Sequence, residues 1–133
     1  MEVLQPPGWA RPRGYSNGIA AQGRLVFIAG QIGWDEQCRI VSADLAEQTR
    51  QALKNIVTIL AQAGGRPEHI ARMTWYVTDK KAYVSAYRAI GAAYREIIGN
   101  HFPAMTALEV PALIEDAAKV EIEATAVVPD LGS

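Results

Sequence analysis

The chain has 133 residues, half of them apolar and a fifth charged, with a formal net charge of -1 at pH 7. This size fits one domain with its own core. The slightly acidic balance argues against a nucleic-acid-binding protein, in which basic residues usually gather on one face. No segment approaches the ~18 apolar residues of a membrane helix, and no secretory signal pattern is visible. The single cysteine, Cys38, cannot form an intrachain disulfide, so we expect a cytoplasmic protein.

The N-terminal part of the chain predicts an irregular arm followed by two strands. Residues 1–14 are rich in proline and glycine and form the expected arm. A strand over residues 16–21 would turn at Gln22-Gly23 and return over residues 24–30, because so short a turn joins strands only as an antiparallel hairpin. The second strand is apolar at consecutive positions, which predicts that both of its faces are buried.

The rest of the chain alternates helices and strands. Ser42 is a plausible N-cap for a helix that Gly64-Gly65 ends. Its predicted buried stripe consists of the residues that recur at helical spacing, Ala46, Thr49, Leu53, Ile56, Val57 and Leu60. Apolar and polar residues then alternate over residues 70–78, as in a strand with one buried face. Asp79 can cap a second helix, and two short strands follow near residues 105–110 and 118–128. The order predicts an α+β fold in one domain, a single mixed β-sheet with two helices packed on one face.

Such an arrangement leaves the other face of the sheet uncovered. The strand over residues 24–30 would present apolar side chains on that face, and exposed apolar patches usually mark an interface. We therefore expect a homo-oligomer.

Three motifs resemble signatures of the RidA/YjgF family, which also carries the label L-PSP endoribonuclease. They are Gly30-Gln31-Ile32, Phe102-Pro103-Ala104 and Glu121-Ile122-Glu123-Ala124, and the resemblance extends over residues 15–128. It implies a YjgF/chorismate mutase-like fold and a homotrimer with small-molecule pockets between subunits. Hydrolytic members of the family deaminate reactive enamines and imines. No cofactor is implied, because a protonated imine is already electrophilic.

Glu121 and Tyr15 are the candidate catalytic residues. Glu121 and Glu123 project from the same face of the last strand. Taken alone, such a face is more often solvated, but the resemblance implies that Glu121 holds the attacking water and relays protons. Tyr15 follows Gly14 and matches a tyrosine that lines the pocket of hydrolytic members. Without the resemblance, Tyr15 would be an ordinary packed aromatic.

The candidate substrate-binding residues include a departure from the family pattern. Gly30 and Gln31 occupy the segment whose backbone forms a ligand wall in the family. The hydrolytic members carry a sequence resembling Arg-Ser-Cys at the positions that are Met105, Thr106 and Ala107 in this chain. An arginine clamps a carboxylate with two charged hydrogen bonds, and a methionine offers only apolar surface. Small 2-imino acids should therefore be poor substrates.

Arg88 offers a possible compensation for the missing arginine, because it matches a position near the pocket in hydrolytic members. The alternative is an arginine whose stem packs while its head stays in water. His69 and His101 lack ligand spacing, so no metal site is expected.

Three functions follow, in order of preference. The first is a hydrolase that deaminates an enamine or imine, with Glu121 positioning water. The second is a non-catalytic trimer that binds a small metabolite. The third, an endoribonuclease, is disfavoured by the acidic net charge, and no nucleic-acid partner is expected.

Overall fold

A four-stranded mixed sheet forms the centre of the protein in the computed structural model, which describes residues 1–130. Within these residues the strands are β1 (Glu2–Leu4), β2 (Gly18–Ala20), β3 (Arg24–Gln31), β4 (Ile70–Val77), β5 (Ala104–Glu109) and β6 (Val120–Val128). The helices are α1 (Leu45–Ala61), α2 (Lys80–Ser85) and α3 (Tyr87–Ile97), with a 3-10 turn at Pro67–His69.

The sheet has the strand order β3-β6-β4-β5. β6 runs antiparallel to both of its neighbours, and β4 runs parallel to β5. A parallel pair needs a crossover connection, and here α2 and α3 supply it. The helices cover one face of the sheet, so the predicted α+β architecture is confirmed.

Helix α1 begins two residues later than the sequence predicted. The Asp44 carboxylate accepts a hydrogen bond from the Glu47 N–H, while the Ser42 hydroxyl accepts one from the Asp44 N–H. The cap is therefore Asp44, and Ser42 supports the turn before it. The predicted buried stripe is confirmed at Thr49, Leu53, Ile56 and Leu60.

The second predicted helix is divided in two at Ala86. Asp79 caps α2 as predicted, accepting a hydrogen bond from the Ala82 N–H. The rings of Tyr83 on α2 and Tyr94 on α3 both lie against Trp75 of β4, with centroids 6.4 and 6.3 Å away. Burial of these aromatics holds both segments on the sheet.

The predicted hairpin between the first two strands is wrong. β2 pairs antiparallel with β1, with Val3 opposite Ile19, so part of the arm expected to be irregular is a strand. β3 pairs instead with β6. β2 has three residues and β6 has nine, so the eight-residue β3 forms a longer ladder with β6 than it could form with β2. The turn before β3 packs against the end of β6, where a Cβ at Gly23 would come within 2.3 Å of the Val128 carbonyl oxygen.

The two faces of the sheet differ sharply in exposure. Met73, Trp75 and Val77 of β4 face the helices and are buried, as the alternation predicted. On the opposite face, called here the open face, Leu25 and Phe27 of β3 are 58% and 75% exposed. Burial of both faces of β3 is therefore not achieved within one protomer. None of the helices in residues 1–130 is long and apolar enough to cross a membrane.

Candidate functional site

The carboxylate of Glu121 lies directly over Gly30. Glu121 is half-buried on β6, and Gly30 lies next to it on β3, where the register between the strands shifts. A Cβ at position 30 would come within 2.1 Å of the Glu121 Oε2 atom. The glycine of the Gly-Gln-Ile motif therefore provides the space that this carboxylate occupies. The Gln31 amide folds back onto its own strand and donates to the Ala29 carbonyl.

A second carboxylate on the open face is paired with a tyrosine. Glu123 accepts a 2.8 Å hydrogen bond from the Tyr76 hydroxyl, and Tyr76 lies opposite Glu121 in the register of β4 and β6. This hydrogen bond, with smaller contributions from burial and from both glutamates, raises the pKa of Tyr76. Sequence reasoning missed Tyr76, although the alternation of β4 had placed it on the polar face.

Tyr15 is held beside the beginning of β5 by its neighbour Ser16. The Ser16 hydroxyl donates to the Phe102 carbonyl at 2.5 Å, and the Ser16 N–H donates to the Pro103 carbonyl at 2.9 Å. Ser16 also forms an isolated parallel bridge with Ala104. Tyr15 is therefore anchored close to Met105, and its side chain is 41% exposed.

Positions 105 to 107 alternate between the two faces of the sheet. Met105 lies opposite Met73 and packs against the core on the helix side, and Ala107 lies opposite Trp75 on the same side. Thr106 instead lies level with Thr74 and shares the open face with Glu123. Met105 and Glu121 are consequently on opposite faces, and one protomer does not bring them together.

Arg88 also lies apart from Glu121 within the protomer. It is exposed on α3, which belongs to the helix layer. Within residues 1–130 its side chain forms no hydrogen bond or ion pair that would fix its direction. Its role, like those of the other site residues, stays a prediction.

Both histidines have local structural partners. The His69 Nδ1 atom accepts a hydrogen bond from the Arg66 N–H, and the His101 ring lies 2.7 Å from the Ile70 carbonyl oxygen. In the described part of the chain, no three His, Cys, Asp or Glu side chains are grouped so as to hold a metal ion.

The sequence is similar to proteins of known family over most of its length. A family model described as Endoribonuclease L-PSP matches residues 9–128. A RutC family protein of Pyrococcus horikoshii is 38% identical over 127 residues, which cover 94% of this chain and 96% of the relative. The human 2-iminobutanoate/2-iminopropanoate deaminase is 33% identical over 128 residues, which cover 96% of this chain and 88% of the relative.

Solved structures show the same similarity. The Rid family protein YyfB from Yersinia pestis, described as of unknown function, has a TM-score of 0.83 at 31% identity, covering 96% of this chain and 98% of that one. E. coli TdcF with bound serine has a TM-score of 0.68 at 30% identity, with the same coverage of both chains.

Proposed function

Because this chain belongs to the RidA/YjgF family, described as Endoribonuclease L-PSP, we propose that it hydrolyses an enamine or imine metabolite. The observation that carries the proposal is the half-buried carboxylate of Glu121, fixed in the space over Gly30. Relatives named as deaminases, among them the human protein and E. coli TdcF, support the same reaction class.

The reaction needs a positioned water and a group that relays protons. The Glu121 carboxylate accepts a hydrogen bond from the water, whose oxygen attacks the carbon of a protonated C=N group. The water's proton passes to Glu121 and then to the substrate nitrogen. The C–N bond breaks, ammonia leaves with the bonding electrons, and the carbon becomes a carbonyl as the Glu121 carboxylate accepts the remaining hydroxyl proton. Tyr15 orients the substrate.

The proposal includes a homotrimer whose pockets lie between subunits. Two observations support it. The open face exposes Leu25 and Phe27, an apolar surface of the kind that a partner covers. Met105 and Glu121 lie on opposite faces of one sheet, so a pocket containing both requires Glu121 of one subunit and Met105 of another.

The substrate is bulkier or less anionic than 2-iminopropionate, because Met105 gives an apolar surface where a clamp for a small carboxylate would stand. Arg88 binds the carboxylate in a different orientation if it reaches the pocket from a neighbouring subunit.

A second function, a metabolite-binding trimer without catalysis, is favoured by the same Met105. A protein released from catalysis does not need the carboxylate clamp and can retain Glu121 for packing. Stabilisation by a ligand without turnover would distinguish this function from the first.

The test is a coupled deaminase assay. A PLP-dependent dehydratase generates 2-iminobutyrate or 2-iminopropionate, semicarbazide competes for the imine, and keto-acid release is followed. We expect a gain of activity in Met105→Arg and, with Met105→Arg as the parent, loss of that activity when Glu121→Gln is added. Glu123→Gln is the matched control, because it removes a carboxylate from the same face but leaves Glu121 in place. If Glu121→Gln is as fast as its parent, the proposed mechanism is wrong.

A further inference from the structure

Arg72 is a cation on the same face of the sheet as Glu121. It lies on β4, in register with Ala104 of β5 and Thr125 of β6. Thr125 in turn lies opposite Phe27, whose exposed side chain belongs to the open face. Because alternate residues of a strand project from the same face, Thr125 and Glu121 share the open face with Arg72. No neighbouring subunit is needed to bring Arg72 and Glu121 onto one surface.

The guanidinium of Arg72 is available to bind an anion. Arg72 is exposed, and within residues 1–130 its side chain forms no hydrogen bond or ion pair. The carboxylate diagonal to it on β6, that of Glu123, accepts the Tyr76 hydroxyl instead. A guanidinium presents five N–H donors in a planar fork that fits a carboxylate. A carboxylate on a ligand is therefore the natural partner for this side chain.

A strip of polar residues connects Arg72 with Glu121. Thr74 is the next residue of β4 on this face, and it lies between Thr106 of β5 and Glu123 of β6. Glu121 pairs with the residue four positions after Arg72 on β4. At a rise of about 3.3 Å per residue, the two ends of the strip are about 13 Å apart along the strands. The strip thus has a cation at one end and the proposed catalytic carboxylate at the other, with two small side chains between them.

This spacing limits the length of a molecule that meets both ends of the strip. A charged hydrogen bond to Arg72 takes up about 2.8 Å, and the hydrogen bond from Glu121 to its water takes up about 3 Å. Between about 4 and 7 Å remain for the substrate, depending on whether the water approaches along the strip or from above it. With C–C bonds of about 1.5 Å in a zigzag chain, this is about three to five bonds. A 2-imino acid, whose carboxylate is attached to the C=N carbon, is too short.

We propose that Arg72 determines the specificity of the reaction at Glu121, by binding a carboxylate that stands about four bonds away from the C=N carbon. The substrate is then the imine of an oxo acid whose carboxylate is remote from the reacting carbon. Such a substrate does not need a clamp at position 105, where this chain has Met105. The inference rests on the proposed hydrolysis, and the covalent steps are unchanged: water adds to the C=N carbon, ammonia leaves, and a carbonyl remains.

Binding is tested with ketones, which are the stable products of such imines. In 5-oxohexanoate the carboxylate is four bonds from the carbonyl carbon. Its isomer 2-oxohexanoate has the same charge but carries the carboxylate on the carbonyl carbon, and 2-hexanone has no carboxylate. We expect 5-oxohexanoate to bind at least about tenfold more tightly than either comparison ligand, the scale of one charged hydrogen bond, as measured by calorimetry. Its amide chemical-shift changes should lie in residues 72–76 and 121–125.

Arg72→Gln should remove the preference for 5-oxohexanoate over 2-hexanone. Arg72→Lys keeps the charge but loses the fork, so it should retain only part of the preference. The matched control is Arg95→Gln, which removes an exposed arginine of α3 and should keep the full preference. Because each variant is compared with itself on two ligands, a general loss of stability does not imitate the effect. Equal binding of the three ligands by the parent, shift changes confined to other residues, or a preference that survives in Arg72→Gln would overturn the inference.

Turnover separates this inference from the proposed function. A flavin-dependent amine oxidase converts 5-aminohexanoate to its ketimine, semicarbazide competes for the ketimine, and release of the free ketone is followed. A raised KM in Arg72→Gln, with kcat retained, supports the inference. Catalysis that needs Glu121 but is indifferent to Arg72 overturns the inference and leaves the proposed function intact. Binding of 5-oxohexanoate that needs Arg72, without turnover of any imine, overturns the proposed function and leaves a carboxylate-binding site.

Discussion

The Glu121 carboxylate fills the space that a side chain at Gly30, on the adjoining strand, would need. A methyl group at position 30 would stand 2.1 Å from the Glu121 Oε2 atom and 2.8 Å from its Cδ atom. The glycine and the glutamate belong to two motifs far apart in sequence. Their contact makes them one structural unit, in which the smaller residue sets the position of the larger.

Gly30→Ala should therefore displace the Glu121 carboxylate while leaving the fold intact, since the end of a flexible side chain yields more easily than backbone. We expect deaminase kcat to fall by about tenfold to hundredfold, the effect of misplacing a reacting group by about 1 Å. Gly91→Ala is the control, because its Cβ would touch only the end of Arg95, at 3.4 Å. Equal kcat for Gly30→Ala and its parent would show that the position of Glu121 is irrelevant.

Glu123→Gln should lower the pKa of Tyr76. The hydrogen bond to the Glu123 carboxylate favours the protonated phenol and raises that pKa above its ordinary value. The stabilisation is fully present below the unfolded pKa of about 10 and is lost as the pH rises through the higher folded value. NMR of ¹³Cζ-labelled tyrosine, with Tyr76→Phe to assign the signal, measures the change. An unchanged midpoint in Glu123→Gln would contradict it.

Gln48→Met should destabilise the protein although it preserves the side-chain volume. It leaves two carbonyls and one N–H without their buried partner. We expect the free energy of unfolding to fall by about 2–4 kcal/mol, measured by urea denaturation. Gln62→Met, at an exposed position just after α1, provides the comparison and should change it little. A small effect at position 48 would mean that water replaces the amide.

Phe27→Glu should prevent assembly of the proposed trimer, because it places a charge in the apolar part of the open face, which Leu25 and Phe27 form on the edge strand β3. Light scattering should give three times 14.4 kDa for the parent and one chain mass for the variant. The control is Ile59→Glu on α1, also partly exposed but on the helix side of the sheet. A variant that keeps the parent's mass would show that the open face is not the interface.

The elements with strong local signals could be predicted from sequence. The buried stripe of α1 and the buried face of β4 follow from the spacing of apolar residues along the chain. The structure confirms this burial at Leu53, Ile56 and Trp75. The break at Ala86 was missed because the apolar spacing of Tyr83, Ile90 and Tyr94 continues through it.

The pairing of strands and the details of the site could not be predicted. The predicted hairpin is wrong because β3 pairs with β6, and the turn at Gly23 lies against Val128, more than a hundred residues later in the chain. Tyr76 and Lys119 acquire their partners only when β4, β6 and the residues before α1 come together. Glu121 could be identified through the family motif. Its contact with Gly30 could not be predicted, because the two residues become neighbours only when β3 pairs with β6.

The position of β6 also bears on how the protein is made. β6 lies between β3 and β4, yet it is the last of the described strands to leave the ribosome. Until it emerges, β3 has no neighbour in the four-stranded sheet and β4 is paired on one side only. Unpaired edges of this kind favour association with other chains. The nascent chain therefore keeps an incomplete sheet, with exposed strand edges, until β6 is free to insert between β3 and β4.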